Sequence, residues 1–114
     1  MTEGSERAEP AFDVRLVDSG DAALVVLSGE LDLTAAPEVE RVLATIPEGR
    51  RLVIDLRALT FMDSSGVGLL VSAARRTEPA GTRLACIAGP PQIQRILELT
   101  GTDRLIDWVN PGPA

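Results

Sequence analysis

The sequence predicts an α/β fold whose elements run in the order ββαβαβαβ around a mixed, mostly parallel sheet. Three observations carry this reading. Short apolar runs of strand length alternate with segments whose apolar residues recur every three to four positions. Clusters of Gly, Pro, Asp and Ser separate them. Only the first two strand-like runs are joined by a connection short enough for a hairpin. The later strands are separated by helices, which implies parallel neighbours and right-handed crossovers. The length of 114 residues fits one domain.

Residues 1–11 are polar and are expected to form a flexible tail, as are residues 110–114; the folded domain is expected over residues 12–109. Phe12, Val14 and Leu16 alternate with Asp13, Arg15 and Val17, the period of a half-buried strand. Asp18-Ser19-Gly20-Asp21 is a turn. Ala22 to Leu27 is continuously apolar and reads as a strand covered on both faces. Ser28-Gly29-Glu30-Leu31-Asp32 closes it. Thr34 is the expected N-cap of the first helix, with Pro37 in its first turn. Val39, Val42, Leu43 and Ile46 form its apolar stripe, and Pro47 and Gly49 end it. Arg51 to Leu56 is the third strand. Val67, Leu70, Val71 and Ala74 mark the second helix, with Arg75 and Arg76 in its last turn, where positive charge suits the dipole. Arg83 to Ala88 is the fourth strand, Ile93, Ile96 and Leu97 lie on one face of the third helix, and Leu105 to Val109 is a last short strand. The expected core contains Val39, Val42, Leu43, Ile46, Val53, Ile54, Leu70, Val71, Ile87, Ile96 and Leu97.

Composition excludes several functions. The net charge of −6 argues against a nucleic-acid groove and against docking on anionic lipid. No apolar run reaches the roughly 18 residues of a membrane span. The acidic, polar start Met1-Thr2-Glu3-Gly4-Ser5-Glu6 lacks the basic and apolar regions of a signal peptide. One cysteine, Cys86, permits no intrachain disulfide and suits a reducing compartment, so a cytoplasmic location is expected. With no histidine, neither a Ser-His-Asp triad nor a typical zinc site can be assembled. All eleven basic residues are arginine, and the absence of lysine removes the Walker loop and Schiff-base chemistry. No enzyme activity, cofactor or metal is expected.

The chemistry concentrates at Phe61-Met62-Asp63-Ser64-Ser65-Gly66-Val67-Gly68-Leu69-Leu70, where the third strand should hand over to the second helix. A helix N-terminus offers unpaired amides and partial positive charge. Capping by Asp63 or Ser64 would explain one such residue. Three capping-type residues stand in line, however, and Gly66 and Gly68 each cost about 1 kcal/mol against alanine. Bare backbone suits the close approach of another molecule. No nucleophile elbow is present, because Met62 stands two before Ser64 and Asp63 two before Ser65. A covalent phosphate on serine fits better: the amides can hold it, and its charge of about −1.5 to −2 would repel nearby carboxylates in an interface. Asp32 and Asp63 would be those carboxylates if the second and third strands end together. Asp32 is then expected to position the hydroxyl or contact a partner rather than to stabilise the core.

These segments, Ser28-Gly29-Glu30-Leu31-Asp32, Leu52-Val53-Ile54-Asp55-Leu56 and the Asp63-Ser64-Ser65-Gly66-Val67-Gly68 stretch, together resemble the STAS domain of bacterial anti-sigma factor antagonists. The likeness runs in order over roughly residues 12–109. It implies a STAS fold with helices packed mainly on one face of the sheet. It also implies a partner switch. The unphosphorylated form would bind an anti-sigma factor serine/threonine kinase and so release a sigma factor. Phosphorylation of Ser64 would dissociate the complex, and a PP2C-type phosphatase would reset it. Asp32, Asp63, Ser65, Gly66 and Gly68 are the expected partner-binding residues. The alternative is a non-phosphorylated STAS scaffold or a subunit of a larger signalling or lipid-transport complex. Elsewhere the simpler reading is structural: Glu38 and Glu40 on a solvated helix face, Cys86 as a small core residue, Trp108 at the sheet edge.

Overall fold

Alternation in the first strands and two irregularities in the third shape the sheet that carries the site. The computed structural model describes residues 11–111; the expected tails therefore lie almost wholly outside the described residues. Strand β1 (Phe12–Asp18) turns back into β2 (Ala22–Leu31). Helix α1 (Ala36–Ala44), β3 (Arg51–Met62), α2 (Ser64–Thr77), β4 (Ala85–Ile87), α3 (Pro91–Leu99) and β5 (Asp107–Trp108) follow, with one-turn 3-10 segments after α2 and before β5. The five strands lie in the order β1-β2-β3-β4-β5. The β1–β2 pair is antiparallel and the rest are parallel, as the sequence predicts.

The helices cover one face. Ala23, Val25 and Leu27 of β2, Leu52, Ile54 and Leu56 of β3 and Cys86 of β4 are buried with Val39 and Leu43 of α1, Leu69, Leu70, Ala73 and Ala74 of α2, and Ile93 and Leu97 of α3. On the opposite face Leu24, Val26 and Val53 are only half-buried. The continuous apolar run of β2 therefore does not mean two covered faces; its outer side chains shield one another across an open sheet. Asp55 is buried on this open face, where the bidentate guanidinium of Arg57, two residues on along the same strand, holds it at 2.8 Å. That pairing keeps the Asp55 carboxyl below its usual range against the opposing effect of burial.

β3 is longer than expected because it carries two bulges. Its register against β2 gains one extra residue between Val26 and Ser28 and another between Gly29 and Glu30. Each bulge lengthens the spacing of inward residues from two to three, so Leu56, Leu59 and Met62 all reach the core. Strict alternation breaks there, which is why the sequence pattern ends the strand at Leu56. Gly29 sits at φ 91°, and a Cβ on it would meet the Ala11 carbonyl oxygen at 2.1 Å; only glycine fits.

Other expectations shift locally. α2 is rotated from the expected stripe: Gly66, Leu69, Leu70, Ala73, Ala74 and Thr77 face the sheet, while Val67 and Val71 lie on its flank. Of the expected core, Val42, Val53, Val71 and Ile96 are half-buried, the first and last two on helix flanks and Val53 on the open face. β4 and β5 are shorter than expected, with the 3-10 turn Thr102–Leu105 replacing the start of the last strand. Cys86 is fully buried, and desolvation pushes its thiol up to about 12, which removes it as a nucleophile at neutral pH. Among the described residues no helix is long and apolar enough to cross a membrane.

Leu70, with no exposed surface, and Val53, half-buried on the open face, separate the two layers. Leu70→Ala should cost about 2–5 kcal/mol in urea unfolding, and Val53→Ala distinctly less. Equal losses would mean that the open face is covered in solution.

Candidate functional site

β2 and β3 end side by side, and this brings the acidic residues together. Leu31 and Met62 are register partners at the two strand ends. The N–H of Asp63 donates to the Leu31 carbonyl at 3.4 Å. Asp32 and Asp63 therefore leave neighbouring strands at the C-terminal edge of the parallel sheet, the edge at which open α/β sheets present their sites.

Asp63 is the N-cap of α2, in extended conformation at φ −110° and ψ −168°. Its Oδ1 accepts from the N–H of Ser65 at 2.8 Å and of Gly66 at 3.3 Å, and its carbonyl accepts from Val67 N–H at 3.1 Å. The amides that the sequence offered to a phosphate are thus already occupied by the Asp63 carboxylate and carbonyl. Ser64 is the first residue of α2 and is exposed; Ser65 is half-buried. A group added to the Ser64 hydroxyl would project outward beside Asp63 with these three amides taken.

Asp32 does more than face the site. Its Oδ1 accepts from Thr34 Oγ1 at 2.8 Å, Thr34 N–H at 3.1 Å and Ala35 N–H at 3.0 Å. These bonds hold the turn that leads into α1, so Asp32 is the residue that caps this entry. Thr34, the expected cap, is a donor to it instead, and the N-cap position, Ala35, makes no side-chain bond. The Thr34 hydroxyl and the Ala35 amide hold the Asp32 carboxyl below its usual range, so it is ionised at neutral pH. Because the folded value lies below the unfolded one, the bonds to this carboxylate stabilise the fold above about pH 4 and are lost as pH falls through the folded value.

The two glycines of the motif differ. Gly66 is buried, and a Cβ there would meet Met62 Cγ at 2.6 Å and the Leu31 carbonyl oxygen at 3.0 Å. Its bareness lets α2 approach β2 and β3, so it belongs to the packing and offers no exposed surface to a partner. Gly68 is exposed, and a Cβ there would meet nothing within 4 Å. Packing does not require glycine at that position.

Two apolar side chains missed in the sequence flank the acids. Leu33 is 72% exposed and Phe61 47% exposed. Leu33 follows Asp32 in the turn; Phe61 pairs with Glu30 and points away from the buried Leu31–Met62 pair. An apolar residue between two turn formers, Asp32 and Thr34, outside any strand or helix period, was the available signal for Leu33. Leu33, Ser64 and Gly68 are exposed around the end of β2 and the start of α2, and Phe61 is exposed on the open face of the sheet two residues before Asp63. Among the described residues there is no cluster of His, Cys, Asp and Glu able to hold a metal ion.

Comparisons with known proteins agree with this arrangement. Residues 14–107 match the model of the family described as Mlab, STAS domain. The anti-sigma-B factor antagonist of Listeria monocytogenes is 31% identical over 88 residues, which cover 75% of this chain and 77% of that protein. The structure of the anti-sigma factor antagonist SpoIIAA in its unphosphorylated form superposes with a TM-score of 0.73 at 22% identity, covering 86% of this chain and 89% of the other. The Bacillus cell fate determinant SpoIIAA in the phosphorylated form gives a TM-score of 0.68 at 24% identity, covering 86% and 92%. The chain therefore belongs to the STAS-domain family of anti-sigma factor antagonists.

Proposed function

We propose that the protein is a partner switch without enzymatic activity of its own. Its unphosphorylated form binds an anti-sigma factor serine/threonine kinase and so frees a sigma factor; phosphorylation of Ser64 ends the interaction, and a PP2C-type phosphatase restores it. The observation that supports this best is the exposed Ser64 hydroxyl at the start of α2, next to a cap that has already taken the nearby amides. A phosphate there keeps most of its charge of about −2 for the partner to meet. Asp32 and Asp63 beside it add like charge, and Leu33, Phe61 and Gly68 supply the surface on which the partner rests. Ser65, half-buried and bonded through its amide to Asp63, is a neighbour of the switch and not its acceptor. The chain acts in the cytoplasm, where such kinases have ATP.

Ser64→Ala should fold normally and bind the kinase without being released by ATP. Ser64→Asp should also fold, since the helix start tolerates an anion, and should bind at least tenfold more weakly, a loss of about 1.4 kcal/mol. Mass-spectrometric mapping after incubation with kinase and ATP should place the phosphate on Ser64. A phosphate on Ser65 would move the switch, and no modification of either serine would leave a scaffold or subunit role.

Asp32 carries two roles that substitution separates. Asp32→Asn keeps the acceptor oxygen and should melt close to wild type, whereas Asp32→Ala loses the cap and should melt lower. Both should impair kinase binding or phosphorylation. If the asparagine variant behaves as wild type with the kinase, the residue is a cap and nothing else.

Gly68→Ala should stabilise the protein by about 0.5–1 kcal/mol, because glycine inside a helix is unfavourable and the Cβ meets open space. The same change should weaken kinase binding. Gly66→Ala should instead destabilise by about 1–3 kcal/mol through overpacking.

A further inference from the structure

The two edges of the sheet are built differently. β5 is two residues long, a blunted edge. β1 is seven residues long, and among the described residues nothing pairs with its outer side. Which backbone groups face outward follows from the hairpin. Glu30 N–H donates to the Ala11 carbonyl at 2.8 Å, and Ser19 N–H donates to the Ala22 carbonyl at 3.0 Å. With the uninterrupted register between them, the odd-numbered residues bond to β2. Phe12, Val14 and Leu16 therefore turn their N–H and C=O groups to the free edge.

The side chains of this edge complement themselves. In an antiparallel pairing of two copies centred on Val14, Val14 faces Val14 of the second copy, and Phe12 faces Leu16. Both are hydrogen-bonded pairs, because these residues carry the outward groups. Asp13 then faces Arg15 in the non-hydrogen-bonded position, where side chains come closest. The acid–arginine pair occurs twice by symmetry. Centring on Asp13 or Arg15 would oppose like charges, and centring on Leu16 would leave Arg15 against Val17. Leu16 is 45% and Val17 38% exposed. Beside the strand, an open cleft of about 400 Å³ between β1 and α1 is lined by Val14, Leu16, Glu38, Arg41, Val42 and Thr45. The apolar surface around this cleft lies on the same side of β1 as Phe12, Val14 and Leu16, while Val17 is exposed on the opposite face with Asp13 and Arg15.

We propose that β1 is a homodimerisation edge: two copies of this chain join through β1 in the Val14-centred register and form one continuous ten-stranded sheet. Such a contact is isologous and closes on itself, so it yields a dimer and no fibre. The same charges reject strands of unmatched sequence. Ser64 lies across β2 from this seam, so each copy keeps its own switch accessible.

Sedimentation of the full chain tests this. Asp13 and Arg15 are exposed, so reversing either leaves the fold intact, which circular dichroism would verify. The Arg15→Asp variant carries two acids on the edge and the Asp13→Arg variant two arginines. Each alone should dimerise at least tenfold more weakly than wild type. An equimolar mixture of the two should form a heterodimer at least as tight as the wild-type homodimer, and the doubly reversed chain should regain the homodimer. A wild-type chain that stays monomeric up to about 1 mM, or a dimer indifferent to both reversals, would overturn the proposal.

Discussion

The cap that Asp63 places on α2 is the interaction on which the rest of the site depends. One carboxylate oxygen takes two amides of the first turn, and the same residue's amide ties back to the end of β2. The cap thereby fixes where the helix begins and which face Ser64 presents. Gly66 completes the constraint from below, since only a bare position allows α2 to come down against Met62 and Leu31. Ser64 is held at a defined place by its neighbours while its own side chain stays free. A modification there changes the surface without being required to change the fold.

On the proposed reading, this division of labour lets a small chain act as a switch without a moving part. The acids that would repel a phosphate also have structural work: Asp63 starts α2 and Asp32 holds the turn into α1. Asp32 is kept ionised by the hydroxyl and amides around it. Negative charge is therefore present at the site before any phosphate arrives. An added phosphate would meet amides of the first turn that are already engaged, so on the proposed reading its charge is directed at the docking partner. An interface that desolvates this charge without pairing it loses several kcal/mol.

The element order, the antiparallel start and the parallel remainder could all be read from periodicity and connection length, because those depend on local pattern. The Asp63-Ser64-Ser65-Gly66 turn was equally readable, since capping chemistry is local. What failed depended on the third dimension. The bulges of β3 changed inward spacing from two to three, and a strict period-two reading stopped at Leu56. The phase of α2 followed Gly66 against the sheet rather than the valines at 67 and 71. Asp32 replaced Thr34 as the cap for a local reason: the chain makes a tight turn over residues 32–35 before α1, whose amides reach the Asp32 carboxylate and carbonyl. Phe61 emerged as surface only once its strand face was known, while Leu33 lies in the turn after β2. Arg57, one residue past the point where the sequence pattern ends the third strand, sits in β3 and pairs with the buried Asp55.

The measurement that bears most directly on this account is calorimetric titration of the partner kinase with the chain carrying phosphoserine at position 64, beside the unmodified chain, at low and high ionic strength. Charge repulsion at a preformed surface predicts that the phosphorylated chain keeps its melting temperature and loses at least tenfold in affinity, with part of the loss recovered as salt screens the charges. Equal affinity of the two forms at low salt, or a loss that comes with unfolding of α2, would contradict it.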